Sequence, residues 1–171
     1  MNTLRTGALL LEPQLASHAA EMFAVLSDLA IYEFENEPPL DVSTLQQRYA
    51  KLESRTSLDG TEQWLNWVVR LPSGELAGYV QATVLVGGRA YVAYELASRF
   101  WRRGIASTAV AAVLEELASR YFVRDTFAVL KAANYRSLGL LNKLGFAPLP
   151  PAARPPWAPE PDEVVVRKAL A

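Results

Sequence analysis

The sequence predicts an α/β fold built on a mixed, mostly antiparallel sheet that is flanked by helices. Three strand-like segments in the middle of the chain are joined by tight turns, which is the pattern of an antiparallel meander. A long amphipathic segment and another strand-like segment follow them. This order indicates a parallel β-α-β unit with a right-handed crossover.

The N-terminal part is predicted to contain one strand and two helices. Residues 6–12 are mostly apolar and favour a first strand. Apolar residues then recur at spacings of three and four over 15–26, so a helix is expected there. The stretch 28–40 is acidic and ends in prolines, which indicates irregular structure. Asp41 or Ser43 is expected to cap the second helix.

The rest of the chain alternates between strands and helices. In order, the predicted elements are strands at 64–71, 76–86 and 89–96, a helix at 104–120, a strand at 125–130, a helix at 135–144 and a closing strand at 164–167. Strand 125–130 is expected to pair in parallel with strand 89–96. Gly145 suits the left-handed residue that ends a helix. Residues 148–161 hold seven of the eleven prolines, so a surface loop is expected there.

Length and composition indicate one globular domain over residues 1–171. The chain is 51% hydrophobic and 20% charged, which suffices for a substantial core. Its net charge of −1 lacks the basic excess of a nucleic-acid-binding protein. There is no cysteine and one histidine, which excludes thiolate and histidine-rich metal sites. No apolar run approaches the roughly 20 residues of a membrane helix, so no membrane partner is expected and the expected location is the cytoplasm.

The segment after strand 89–96 has the features of an anion site. Residues 99–109 read RFWRRGIASTA, which places a glycine and three arginines where a helix begins. The first N–H groups of a helix are unpaired and partly positive, and Gly104 lets the backbone approach an anion closely. Ser107 adds a hydroxyl group. The pattern predicts a phosphate or pyrophosphate site; the alternative is a tight turn with solvated arginines.

A second motif follows the predicted parallel strand. Residues 134–146 read NYRSLGLLNKLGF, with Asn134 and Ser137 at the start of a helix. Together with RRGIA at a strand-to-helix junction, this motif resembles the GCN5-related N-acetyltransferase (GNAT) family, and within it the RimJ/RimL-like subgroup that acetylates ribosomal-protein N-termini. The resemblance covers about residues 3–147. The family's phosphate loop, Gln/Arg-x-x-Gly-x-Gly/Ala, corresponds to residues 101–106, where Trp101 departs at the first position.

The resemblance implies that acetyl-coenzyme A (acetyl-CoA) is the cosubstrate and that no metal is needed. It would lie in a V-shaped notch where strand 89–96 splays from strand 125–130, with its pyrophosphate on the backbone amides of 102–107. The residues expected to bind it are Leu96, Ala97, Arg102, Arg103, Gly104, Ile105, Ala106, Ser107, Asn134 and Lys143. For Arg103 and Lys143, a solvated surface role is the alternative.

The implied reaction is direct acetyl transfer to a primary amine of a small molecule or of a protein N-terminus. The backbone N–H of Leu96 is the expected oxyanion donor. Glu95 is the expected base, because burial would raise its pKa; a structural pair with an arginine is the alternative. Many family members carry a tyrosine acid at the position of Leu141, so Ser137 is expected to protonate the leaving thiolate here. There are two alternatives: Ser137 only caps its helix, or Tyr135 is the acid that protonates the thiolate.

The acceptor side is predicted from the acidic loop that the family places beside it. Glu33, Glu35 and Glu37 would form a rim that attracts a cationic amine, although a solvated loop has the same composition. Trp64 would line the acceptor pocket or belong to the core. A non-catalytic acyl-CoA-binding module is the alternative function. The expected partner is an amine acceptor. The sequence leaves open whether the protein forms a homodimer.

Overall fold

A computed structural model, which describes residues 1–149 and 160–171, shows a mixed eight-stranded sheet with four α-helices. The strands are β1 (Leu4–Thr6), β2 (Leu9–Pro13), β3 (Glu62–Arg70), β4 (Leu76–Leu85), β5 (Arg89–Leu96), β6 (Asp125–Lys131), β7 (Ala147–Pro148) and β8 (Glu163–Ala169). The helices are α1 (Ala19–Leu26), α2 (Val42–Leu52), α3 (Ile105–Tyr121) and α4 (Tyr135–Lys143). These counts refer to the described residues.

The sheet has the strand order β1-β2-β3-β4-β5-β6-β8-β7, and every neighbouring pair is antiparallel except β5 and β6. The predicted fold class, with its antiparallel meander and one parallel pair, is therefore confirmed. The parallel register extends only over Arg89–Tyr91 opposite Asp125–Phe127. Beyond that point the two strands separate, which is the expected V-shaped splay.

Gly78 explains how the end of β5 is held against β4. It lies opposite Leu96 in the antiparallel register. A Cβ atom at Gly78 would lie 2.0 Å from the carbonyl oxygen of Glu95 and 2.7 Å from the Cα of Leu96. Only glycine permits this approach of two backbones. The residue therefore positions the strand segment that borders the splay.

The core is built from the helix faces and the inner face of the sheet. The face of α3 that the apolar spacing predicts is buried, with Val110, Val113 and Leu117 inaccessible to solvent. Met22 of α1 and Trp67 of β3 are also fully buried. The periodicity of apolar residues thus located the core-facing side of α3 correctly.

The first predicted strand, 6–12, is wrong in detail because the chain turns within it. β1 and β2 form a hairpin in which Leu4 pairs with Leu11, and Gly7 in the turn has a φ of +56°. A continuous run of apolar residues concealed this turn. At the other end of the chain, the predicted proline-rich loop falls mostly on residues 150–159, which lie outside the described residues.

Candidate active site

A cleft of about 1330 Å³ opens where β5 and β6 separate. Its walls come from β4, β5, the start of α3, the start of α4, α2 and the loop before α2. Of the residues expected to form the site, Glu35, Glu37, Glu95, Leu96, Arg102, Gly104, Ile105, Ala106, Ser107, Asn134, Ser137 and Lys143 line this cleft. Glu33, Trp64, Ala97 and Arg103 do not.

The start of α3 presents free backbone N–H groups to the cleft. Gly104 precedes the helix with a φ of +78°, and no side chain caps it. The first helical bond runs from the Thr108 amide to the Gly104 carbonyl, so the amides of residues 105–107 have no partner within the helix. The hydroxyl of Ser107 donates to the Gly104 carbonyl at 2.8 Å. Because no atom lies within 4 Å of a Cβ at Gly104, an anion has room to reach these amides.

The end of β5 offers backbone groups along the opposite wall. Past Tyr91 this strand pairs only with β4, so its other edge faces the cleft. Trp101 donates its indole N–H to the Leu96 carbonyl at 2.7 Å, which gives the departure from the family's loop pattern a structural role. The Ala97 amide donates to the Ala77 carbonyl at 3.0 Å and is therefore occupied within the protein.

Glu95 is half-buried and lies on the cleft wall. Its carboxylate accepts a hydrogen bond from the Asn36 side chain at 3.1 Å and another from the Tyr79 hydroxyl. Burial raises the pKa of Glu95, and these bonds together with the charge of Arg48 offset only part of the rise. The alternative interpretation required an ion pair between Glu95 and an arginine. Within the described part of the chain, Glu95 makes no such pair.

The start of α4 lies across the cleft and is capped by Asn134. The Asn134 side chain accepts a hydrogen bond from the Ser137 amide at 3.1 Å. The helix cap that was an alternative role for Ser137 therefore belongs to Asn134, and the Ser137 hydroxyl is not needed for it. Leu141, at the position of the family's tyrosine, is only 1% exposed and packs in the core.

Tyr94 is a site residue that the sequence did not indicate. Its hydroxyl donates to the Ser137 carbonyl at 3.4 Å and also interacts with the Ser137 side chain. Burial raises its pKa to about 12, so this phenol keeps its proton at neutral pH. Strand alternation places Tyr94 and Glu95 on opposite faces, but both reach the cleft because it passes around the free edge of β5.

The acidic loop before α2 is not a uniform rim. Glu33 is ion-paired with Arg136 and does not line the cleft, so its charge is already offset. Arg136 also lies over the rings of Trp101, at 4.6 Å, and Phe34, at 5.1 Å. These contacts dock the loop on the start of α4. Glu35 does line the cleft, and burial together with the like charge of Glu163 raises its pKa.

Two expected residues lie near the cleft without lining it. Trp64 lies in an adjoining recess with Arg48 and Thr83, and its indole N–H donates to Glu62 at 2.9 Å. Arg103 is exposed next to the start of α3. Over residues 1–149 and 160–171, no three acidic, histidine or cysteine side chains group as a metal site. No helix in the same ranges has the length and apolarity to cross a membrane.

A family model described as an acetyltransferase (GNAT) domain matches residues 8–147 of the chain. No curated protein matches the sequence. The match covers the splayed strands, the start of α3 and all of α4, and thus most of the cleft described above.

Similar solved structures share the fold at low sequence identity. A RimL ribosomal L7/L12 α-N-protein acetyltransferase in complex with coenzyme A has a TM-score of 0.82 and 14% identity, covering 99% of this chain and 98% of its own. A ribosomal-protein-S5-alanine acetyltransferase from Vibrio fischeri has a TM-score of 0.79 and 16% identity. The match covers 99% of this chain and 97% of the Vibrio fischeri chain. The microcin C7 self-immunity acetyltransferase MccE, in complex with acetyl-CoA and AMP, has a TM-score of 0.77 and 15% identity, covering 95% and 93%.

Proposed function

Because this chain belongs to the GNAT acetyltransferase family and uses acetyl-CoA, we propose that it transfers the acetyl group to a primary amine of a small molecule or of a protein N-terminus. The observation that carries the proposal is the cleft at the splay of β5 and β6. This cleft brings together the start of α3 as an anion site, the free edge of β5, the Glu95 carboxylate and the hydroxyl groups of Ser137 and Tyr94.

The residues of the cleft fit acetyl-CoA. The amides of Ile105, Ala106 and Ser107 would bind its pyrophosphate, with Arg102 adding positive charge. The free edge of β5 would pair with the amides of its pantetheine arm, as one strand pairs with another. Asn134 and Lys143 line the same cleft and are proposed to contact the arm and the ribose phosphate. Arg103 and Ala97 do not line the cleft, so we assign them no contact with acetyl-CoA.

Glu95 is proposed to accept the proton that the amine loses, directly or through a water molecule. The thioester supplies an activated acetyl group; the amine nitrogen bonds to its carbonyl carbon and the carbon–sulfur bond breaks. The Leu96 backbone N–H is proposed to stabilise the negative charge on the carbonyl oxygen. A carboxylate with a raised pKa, such as that of Glu95, is a better base near neutral pH than an ordinary glutamate.

Ser137 is proposed to return a proton to the departing sulfur, with Tyr94 as its hydrogen-bonding neighbour. The two side chains interact at the cleft wall. Because the pKa of Tyr94 is raised to about 12, it is protonated throughout the neutral range and stays a hydrogen-bond donor beside Ser137. The sulfur leaves as the thiol of coenzyme A. Glu95 then releases its proton to solvent and Ser137 regains one from solvent, which restores both groups.

The experiment that tests the proposal is an acceptor screen. Acetyl-CoA binding is measured by calorimetry, and the release of the coenzyme A thiol is followed with a panel of amines and short peptides. Mass analysis of the product must show one added acetyl group. Binding without transfer to any amine would instead support a non-catalytic module, and absence of binding would contradict the proposal altogether.

Ser137→Ala is expected to lower kcat about 10²-fold, because a general acid contributes at least that much. Acetyl-CoA affinity should change little. Stability should also change little, because Asn134 rather than Ser137 caps α4. Asn134→Ala is the matched control and should cost about 1 kcal/mol of unfolding free energy. A folded Ser137→Ala variant with the turnover of the wild type would remove Ser137 from the mechanism.

Glu95→Gln is expected to lower kcat/KM by about 10²-fold and to abolish the acidic limb of its pH profile. The carboxylate is the active form and its pKa is raised, so activity of the wild type should rise with pH through a limb above the ordinary glutamate range.

Asn36→Gly is the control, because it removes a hydrogen-bond donor to Glu95 at a residue whose φ of +65° suits glycine. Losing that bond should move the limb to higher pH. An unchanged limb in Glu95→Gln would show that another group is the base.

A further inference from the structure

The part of the cleft beside α2 has a wall of polar side chains from the sheet. The strand register places Tyr79 opposite Glu95, and Gln81 opposite both Asn66 and Ala93. These side chains share one face of the sheet by strand alternation and line the cleft below α2. An ordinary core would be apolar here, whereas this wall offers polar groups to a molecule in the cleft.

Two buried groups on this wall have no hydrogen-bond partner. Gln14 is 3% exposed and its side-chain nitrogen is unpaired, and Tyr49 is 4% exposed and its hydroxyl is unpaired, both with respect to the described residues. Both residues line the cleft, but the two unpaired atoms are themselves covered, so a ligand reaches them only after the side chains turn toward the cleft. An unpaired buried donor costs free energy, which a bound molecule with oxygen acceptors would recover. Both groups can donate, so they favour an oxygen-rich ligand.

Arg48 supplies a positive charge next to these donors. It precedes Tyr49 in α2 and lines both the cleft and the adjoining recess. It makes no ion pair within residues 1–149 and 160–171. Its charge nevertheless acts on Tyr49, Tyr79 and Glu95, where it works against the rise of their pKa values. The guanidinium is therefore close to the acetyl-transfer site.

We propose that the acceptor is a small amino acid-like zwitterion, whose amine faces Glu95 and whose carboxylate lies among Arg48, Tyr49 and Gln14. A carboxylate has the oxygen acceptors that these three donors require, and a guanidinium binds it with charge-assisted hydrogen bonds. At the other end, the carboxylates of Glu95 and Glu35 attract the ammonium group. This inference rests on the proposed acetyl transfer and specifies its substrate class.

A peptide N-terminus suits the same wall less well. Its first residue presents a neutral amide carbonyl in place of a carboxylate. That carbonyl accepts hydrogen bonds from Tyr49 or Gln14 but leaves the charge of Arg48 without a counterpart. The arrangement of donors therefore favours a free carboxylate close to the amine.

The test compares acceptors that differ only in the carboxylate. Free amino acids with different side chains are assayed beside their carboxamides, their decarboxylated amines and dipeptides that begin with the same residue. Acetyl-CoA is held at saturation. For the best acceptor, kcat/KM is expected to be at least tenfold higher for the amino acid than for its carboxamide or amine. Arg48→Met should abolish this preference by raising the acceptor KM, with the acetyl-CoA affinity unchanged.

Lys51→Met is the matched control, because Lys51 is an exposed cation of the same helix that does not line the cleft. It should leave the preference intact. Equal rates for amine and amino acid, a preference for dipeptides, an unaltered preference in Arg48→Met or no acetylation of any carboxylate-bearing acceptor would each overturn the inference. Failure of acetyl-CoA to bind to the wild type is a different result, since it would contradict the proposed function itself.

Discussion

Gly104→Glu is expected to abolish acetyl-CoA binding while the protein remains folded. The new carboxylate would stand at the start of α3, where the free amides of Ile105 and Ala106 face the cleft. Two like charges 4 Å apart repel by roughly 4 kcal/mol at an effective dielectric constant of 20. A loss of about 2.8 kcal/mol already weakens affinity about 100-fold. Titration calorimetry with acetyl-CoA measures the change, and circular dichroism checks the fold.

Two control variants separate charge from conformation. Gly104 has a φ of +78°, so any side chain adds strain on the order of 1–2 kcal/mol. Gly104→Ala carries that strain alone, and Gly104→Gln adds the bulk of glutamate without its charge. Both are expected to bind acetyl-CoA more tightly than Gly104→Glu. Unchanged affinity in Gly104→Glu would contradict the assignment of a pyrophosphate site to this helix start.

Gly78→Ala is expected to destabilise the protein by about 3 kcal/mol and to lower activity with it. The added methyl group would overlap the Glu95 carbonyl, which lies 2.0 Å from the Cβ position, so β4 and β5 must move apart. That movement displaces Glu95 and Leu96, the proposed base and oxyanion donor. Chemical denaturation gives the loss of unfolding free energy, and steady-state kinetics give the loss of turnover.

Gly139→Ala is the matched control for the same chemical change. Gly139 lies within α4, its φ is not positive, and no atom is within 4 Å of its Cβ position. An alanine there should stabilise the helix by about 0.5–1 kcal/mol. If Gly78→Ala were as stable as Gly139→Ala, the close approach of β4 and β5 would not be a constraint of this fold.

Local patterns in the sequence were enough to predict most elements and many of the residues that line the cleft. The start of α3, the Asn134–Ser137 segment and the buried face of α3 depend on residues within four positions of one another, and each was predicted near its observed place. The hairpin of β1 and β2 is a local feature that the apolar run concealed. Spacing also placed Glu95 and Leu96 on the strand that borders the splay.

Contacts between distant residues decided the rest. Arg136 offsets Glu33 from 103 positions away, and Tyr94 meets Ser137 across 43 positions. Neither pair has a spacing that a sequence pattern can express. Strand alternation likewise placed Tyr94 and Glu95 on opposite faces, yet both line one cleft, because the strand edge between them is free.

The sequence by itself was enough to predict the glycine-led helix start that follows β5, since backbone geometry there depends on a few adjacent residues. The tertiary structure alone decided which side chains surround the part of the cleft that is proposed for the acceptor. Arg48 and Tyr49 come from α2 and Gln14 follows β2, and none of the three stands out in the sequence. They come together only in the folded chain, where burial deprives the Gln14 and Tyr49 side chains of water and the proposed ligand would replace it.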